Sequence, residues 1–92
     1  MNRISETLQL SGTVIVDVRT PEEFTCGHLD SSINIPLNEL DNNLEKLRHM
    51  QHIVVCCASG IRSHKAASLL KQNNIDCVDG GSWIDITNYQ KN

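Results

Sequence analysis

The chain lacks most features that would tie it to a membrane, a nucleic acid or a disulfide scaffold. No apolar run approaches the ~18 residues that span a bilayer. The first residues, Met1-Asn2-Arg3-Ile4-Ser5-Glu6, contain no apolar signal-peptide core. No cluster of Lys and Arg exists, and the net charge is −3, which argues against non-specific nucleic-acid binding. The four cysteines include no Cys-x-x-Cys pair and the four histidines are scattered, so no structural zinc is expected. Internal repeats, low-complexity tracts and linkers are also missing. These absences predict a cytoplasmic protein with reduced thiols. No membrane, nucleic acid, metal or cofactor is called for.

What remains is ordinary globular material. Ninety-two residues with 39% hydrophobic and 21% charged content suit one domain, residues 1–92. Ile4, Leu8 and Leu10 predict a turn or two of helix ended by Gly12. Thr13 to Val18 is a β-branched run of the kind buried on both faces of a parallel sheet. Thr20-Pro21-Glu22-Glu23 reads as a capping box with proline at the first helical position, and Gly27 keeps that helix short. Ile33-Asn34-Ile35 is a short strand ended by Pro36. Leu37, Leu40, Leu44 and Leu47 fall at helical spacing and predict one helix to Met50. Ile53 to Cys57 is the second strong strand. Ser63 to Gln72 reads as a helix, with Ser63 as its cap and Asn73-Asn74 as its stop. Ile75 to Val78 predicts a last strand, Gly80-Gly81 a turn, and Trp83 and Tyr89 lie in the tail.

Strands alternating with helices imply an α/β fold with parallel strands and right-handed crossovers. Ligands in such sheets sit beyond the carboxyl ends of the strands. The two strong strands deliver Asp17, Arg19 and the segment after Cys57 to that edge.

The segment Cys56-Cys57-Ala58-Ser59-Gly60-Ile61-Arg62-Ser63 carries the chemistry. A thiol at the end of a strand, followed by a glycine-containing loop and a helix, can be held as a thiolate by inward-turned N–H groups. Ala58 to Arg62 offer five such groups, and Arg62 adds a fixed charge. Adjacent strand residues face opposite ways, so one of Cys56 and Cys57 is expected in the core and the other exposed. Cys26, Cys56 and Cys77 are read as plain packing residues. Arg19 has two readings, attraction of an anionic donor or a corner ion pair with Glu23, and the second is favoured. His28 is read as a hydrogen-bonded loop residue. His64, in the first helical turn, is read as neutral, with its role open.

Asp17-Val18-Arg19, Glu23-Phe24, Gly27-His28-Leu29, Ile33-Asn34-Ile35-Pro36, the Cys57–Ser63 loop and Gly80-Gly81 near Trp83 stand in the order and spacing of one family. From about Val14 to Trp83 the chain resembles a single-domain rhodanese, a thiosulfate sulfurtransferase. The resemblance implies a three-layer α/β/α fold with a four- to five-stranded, mainly parallel sheet. Family members usually open with an edge strand and a longer helix. Only Asn2 to Gly12 is available for both, so that strand is expected to be short or absent, and descent from a larger fused protein is one explanation. The resemblance implies Cys57 as the nucleophile, with Ala58, Ser59, Gly60, Ile61, Arg62 and Ser63 as the donor-binding loop. Arg19 and Trp83 are lesser candidates, Trp83 as one wall of the pocket. Sulfane sulfur would pass from thiosulfate or another persulfide donor to cyanide or a thiol, a thioredoxin-like protein among the acceptors. Ala58 and Ile61 stand where the family often has polar or basic residues, which predicts a weaker hold on thiosulfate.

Two rival readings stay open. Counted from Cys56, the loop is Cys-x5-Arg, the spacing of phosphatases and arsenate reductases that share the fold. Against it, the glycine register favours Cys57, and no acid is evident near the loop to protonate a leaving group. The third reading is a non-catalytic rhodanese-like binding module.

Overall fold

The computed structural model describes residues 3–90. The elements are α1 (Arg3–Leu8), β1 (Thr13–Asp17), α2 (Pro21–Thr25), β2 (Ser32–Asn34), a 3-10 stretch (Leu37–Asn43), α3 (Leu44–Arg48), β3 (His52–Cys57), α4 (Ile61–Gln72), β4 (Val78–Ser82) and α5 (Trp83–Gln90). The four strands form one sheet in the order β2-β1-β3-β4, and every neighbouring pair is parallel. Before β1 the described residues form only α1, so the sheet has the smaller of the expected strand counts.

The sheet divides the core in two because strand side chains alternate. On one face Val16, Val55 and Cys57 pack with Leu40, Leu47, Ala66, Ala67 and Leu70. On the other, Ile15, Val54 and Cys56 pack with Leu29 and Ile86, and Ile4, Leu8 and Trp83 close the edge. Helices on both faces make the expected three layers. Each fully buried aliphatic side chain contributes about 1.5–3 kcal/mol.

The capping box forms as read. Thr20 Oγ1 accepts from the Glu23 N–H at 3.2 Å, and the Glu23 carboxylate accepts from the Thr20 N–H at 3.0 Å. Four expectations need correction. The Leu37–Met50 segment is not one helix: a 3-10 stretch runs into the short α3. Asn43 Nδ2 donates to the Glu39 carbonyl at 2.8 Å, a side-chain bond that competes with continued α-helix. The three-residue step from Leu37 to Leu40 also matches a 3-10 repeat.

The last strand lies later than expected, and Gly80-Gly81 is part of it. A Cβ at Gly80 would come within 2.8 Å of both Ile86 Cδ1 and Val54 Cγ1, so only glycine lets β4 approach β3 this closely. The β3–β4 register shifts between Val55 and Cys57, which reads as a bulge where a turn had been expected. The tail is a helix, α5, anchored by the fully buried Ile86. Finally, α4 starts at Ile61. Its N-cap is Gly60, at φ +101°, a left-handed conformation suited to glycine, so Ser63 is not the cap.

Candidate active site

β1 and β3 end at the same edge, and the polar groups of the site collect there. Cys57 ends β3, and Gly60 turns the chain back into α4. The sulfur is thereby enclosed by the loop's own backbone. Cys57 Sγ accepts from the Gly60 N–H at 3.0 Å and from the Ser63 N–H at 3.3 Å. Burial pushes this thiol up, but hydrogen bonding from the Ser63 N–H and hydroxyl and from the Gly60 and Ser59 N–H groups together outweighs it and leaves the thiol below its ordinary value. The Ser63 hydroxyl also has the Asp79 carboxylate as an acceptor at 2.7 Å. The backbone N–H groups are the donors that stay on the sulfur whichever acceptor that hydroxyl takes. The cradle differs in detail from the expected five successive N–H groups, because Ser63 lies beyond that set.

The neighbouring thiol behaves in the opposite way. Cys56 points into the other core layer, where burial, reinforced by the Asp17 charge, pushes it up to about 12. The expected split into one buried and one exposed cysteine does not occur: both are 0% exposed. Ala58 and Ser59, the next two residues of the loop, are exposed. Ile61 is 66% exposed beside them.

Arg62 is not a free cation. Its Nη1 and Nη2 donate to Glu23 Oε1 and Oε2 at 2.7 and 3.0 Å. The Arg62 hydrogen bonds and the Thr20 N–H hold the Glu23 carboxyl down to about 2. The expected Arg19–Glu23 ion pair is thus replaced by two others. Arg19 instead pairs with Asp17, its Nη2 at 2.8 Å from Oδ2 and its Nε at 3.0 Å from both carboxylate oxygens. Arg19 also donates to the backbone carbonyls of Gly27 and Glu23. Asp17 ends β1 and Arg19 follows two residues on, in the bend after the strand, so the close spacing of acid and cation was a signal present in the sequence.

Arg19 and Trp83 are brought together, the guanidinium 4.8 Å from the ring centroid. Trp83 also lies against Gly27. His28 Nδ1 donates to the Phe24 carbonyl at 2.6 Å and its ring stacks on Phe24, in keeping with a structural role. His64 is exposed, with Nδ1 3.7 Å from Asp79 Oδ2. Acids do adjoin the loop, contrary to expectation: Glu23 comes from α2 and Asp79 from β4. Asp79 also accepts from the Gly81 N–H at 3.1 Å and so ties the start of α4 to the β4 bulge. No sequence signal marked Asp79. A cleft of about 190 Å³ bounded by Arg3, Thr7, Gln51, His52 and Asp76 opens at the amino-terminal edge of the sheet and contains no loop residue.

The thiol in its backbone cradle stands at the carboxyl edge of a parallel β2-β1-β3-β4 sheet. Residues 2–83 match the rhodanese-like domain. The chain belongs to the rhodanese-like family. Its relatives include the tRNA uridine(34) hydroxylase of Buchnera aphidicola, 33% identical over 87 residues, covering 85% of this chain and 28% of that protein. The putative sulfur carrier protein YrkF of Bacillus subtilis is 36% identical over 64 residues, 70% of this chain and 35% of that one. Among solved structures, a rhodanese-like domain protein from Staphylococcus aureus superposes with a TM-score of 0.75 at 32% identity, covering 86% of this chain and 78% of that one. The rhodanese-like chain thus spans between a quarter and two fifths of the length of these two curated relatives.

Proposed function

We propose that this rhodanese-like chain is a sulfurtransferase that carries sulfane sulfur as a persulfide on Cys57. The carrying observation is the pair of backbone N–H groups, from Gly60 and Ser63, aimed at the Cys57 sulfur. They lower the thiol and suit a thiolate or persulfide anion equally. In the first half-reaction the thiolate attacks the outer sulfur of a donor such as thiosulfate. The donor S–S bond breaks, sulfite leaves with its electron pair, and Cys57–S–S⁻ remains in the cradle. In the second, a thiol or cyanide attacks the outer sulfur and Cys57 leaves as the thiolate again, which is ping-pong catalysis. The cytoplasm suits this chemistry, since it keeps thiols reduced and all four cysteines are free.

The phosphatase count needs Cys56 as nucleophile, and a thiol pushed up to about 12 in an apolar layer argues against it. The test is to treat the protein with thiosulfate or cysteine hydropersulfide and weigh it intact. The gain of one sulfur atom should survive Cys56→Ser and vanish in Cys57→Ser. The reverse pattern, or hydrolysis of an aryl phosphate without any sulfur uptake, would overturn the proposal.

A further inference from the structure

The cation expected to hold a donor anion is already neutralised. Arg62 forms a two-point pair with Glu23, and Glu23 is locked by the Thr20 N–H at the start of α2. The other cation at this edge, Arg19, is buried against Asp17. Asp79 adds a further acid behind Ser63, with His64 at 3.7 Å. Among the described residues two cations thus face three carboxylates here, before the thiolate itself is counted. The next cation on α4, Lys65, is exposed, where solvent and salt screen its charge. Ala58 and Ile61, exposed on the rim, offer apolar contact and no charge.

We propose that Glu23 is a specificity-determining residue: by pairing with Arg62 it sets the Cys57 loop against dianionic donors such as thiosulfate and in favour of organic hydropersulfides, R–S–SH. This rests on the sulfurtransferase reading. Thiosulfate brings two negative charges to a site that already holds a thiolate and an excess of carboxylates. A hydropersulfide reacts as a neutral molecule, and its R group meets Ala58 and Ile61. The Cys57 thiolate attacks the outer sulfur and the donor S–S bond breaks. R–S⁻ leaves with the electron pair, and Cys57–S–SH keeps the proton. No oxidant or reductant is consumed.

Glu23→Gln tests the idea cleanly, because glutamine at this position also completes a capping box and only the charge is lost. Persulfide formation on Cys57 is followed by rapid quenching and intact mass, with thiosulfate, with cysteine hydropersulfide, and with a hydropersulfide on a surface cysteine of a carrier protein. Wild type should load from at least one hydropersulfide faster than from thiosulfate by about tenfold or more. Removing a unit charge beside a dianion should raise the thiosulfate rate constant on the order of tenfold, a gain that shrinks in ~0.5 M salt. The control Glu22→Gln, which removes an exposed charge next door, should shift the thiosulfate-to-hydropersulfide ratio by less than about twofold. Faster loading from free cysteine hydropersulfide points to a small-molecule source and faster loading from the carrier to a protein source; both support the donor class. Equal wild-type rates for thiosulfate and hydropersulfides, or a ratio unmoved by Glu23→Gln while Cys57 still charges, would overturn the proposal. Failure of Cys57 to charge from every donor would instead overturn the sulfurtransferase reading, and this inference with it.

Discussion

Cys56 and Cys57 form a controlled comparison within one strand. Both are 0% exposed, so solvent access does not separate them and ionisation must. Cys56 is pushed up to about 12 by burial, while Cys57 is drawn below the ordinary thiol value. At pH 7 a thiol near 12 is ionised in roughly one molecule in 10⁵, against about one in 10² for an ordinary thiol at 9.0, and Cys57 is drawn below that ordinary value. The thiolate ratio therefore exceeds about 10³. The more basic thiolate is intrinsically the better nucleophile, and a Brønsted slope of ~0.4–0.5 takes back a factor of about 15–30. The net expectation is a rate advantage of at least roughly 30-fold for Cys57. The assay is iodoacetamide alkylation at pH 7 in a Cys26→Ser background, since Cys26 is exposed and would react first. Cys56→Ser, which leaves Cys57, should alkylate faster than Cys57→Ser by that factor. Its rate should also level off at a lower pH than free cysteine does. Equal rates in the two variants, or a Cys57 profile that follows free cysteine, would refute the role assigned to the Gly60 and Ser63 N–H groups.

Three further outcomes are expected. Asp17→Asn leaves the Arg19 guanidinium, 5% exposed, without its countercharge; breaking a buried pair costs about 3–5 kcal/mol, readable from urea unfolding, and a loss below ~1 kcal/mol would contradict the burial argument. Gly80→Ala drives a methyl into Ile86, Val54 and the Val55 carbonyl and should destabilise by about 1–3 kcal/mol; a variant as stable as wild type would mean that β4 can retreat from β3. The Glu23 carboxyl lies lower in the folded state than in the unfolded, at about 2 against 4.5, so its contribution is complete above pH 4.5 and lost as pH falls toward 2. Urea midpoints of wild type should therefore fall over that window relative to Glu23→Gln, and parallel curves would show that the pair is not stabilising.

Much of the architecture was legible because it is local chemistry. The β-branched runs around Val16 and Val55 could only be central strands, and Thr20 to Glu23 carries its own capping box. The cysteine loop announces itself through a strand end, a glycine and an arginine at short spacing. Segments with competing local signals mislead. Asn43 diverts the Leu37–Met50 helix through one side-chain bond, and Gly80-Gly81 resembles a turn unless one knows that β3 and Ile86 press on it. The α5 helix is not legible in the sequence because its stability comes from docking Ile86, not from a strong pattern of its own.

The long-range polar contacts of the site belong to tertiary structure alone. Arg62 meets an acid 39 positions away and Ser63 one 16 positions away, through contacts that exist only once α2 and β4 flank the loop. The sequence by itself determined the sheet's central strands, the loop after Cys57 and the family. Only the fold decided that Cys56 and Cys57 are both buried, that Glu23 cancels Arg62, and that Asp79 braces the loop. The physical reason is range. Propensity, capping and side-chain alternation act within a few residues, whereas the charge a substrate meets is the sum over groups that chain folding brings together.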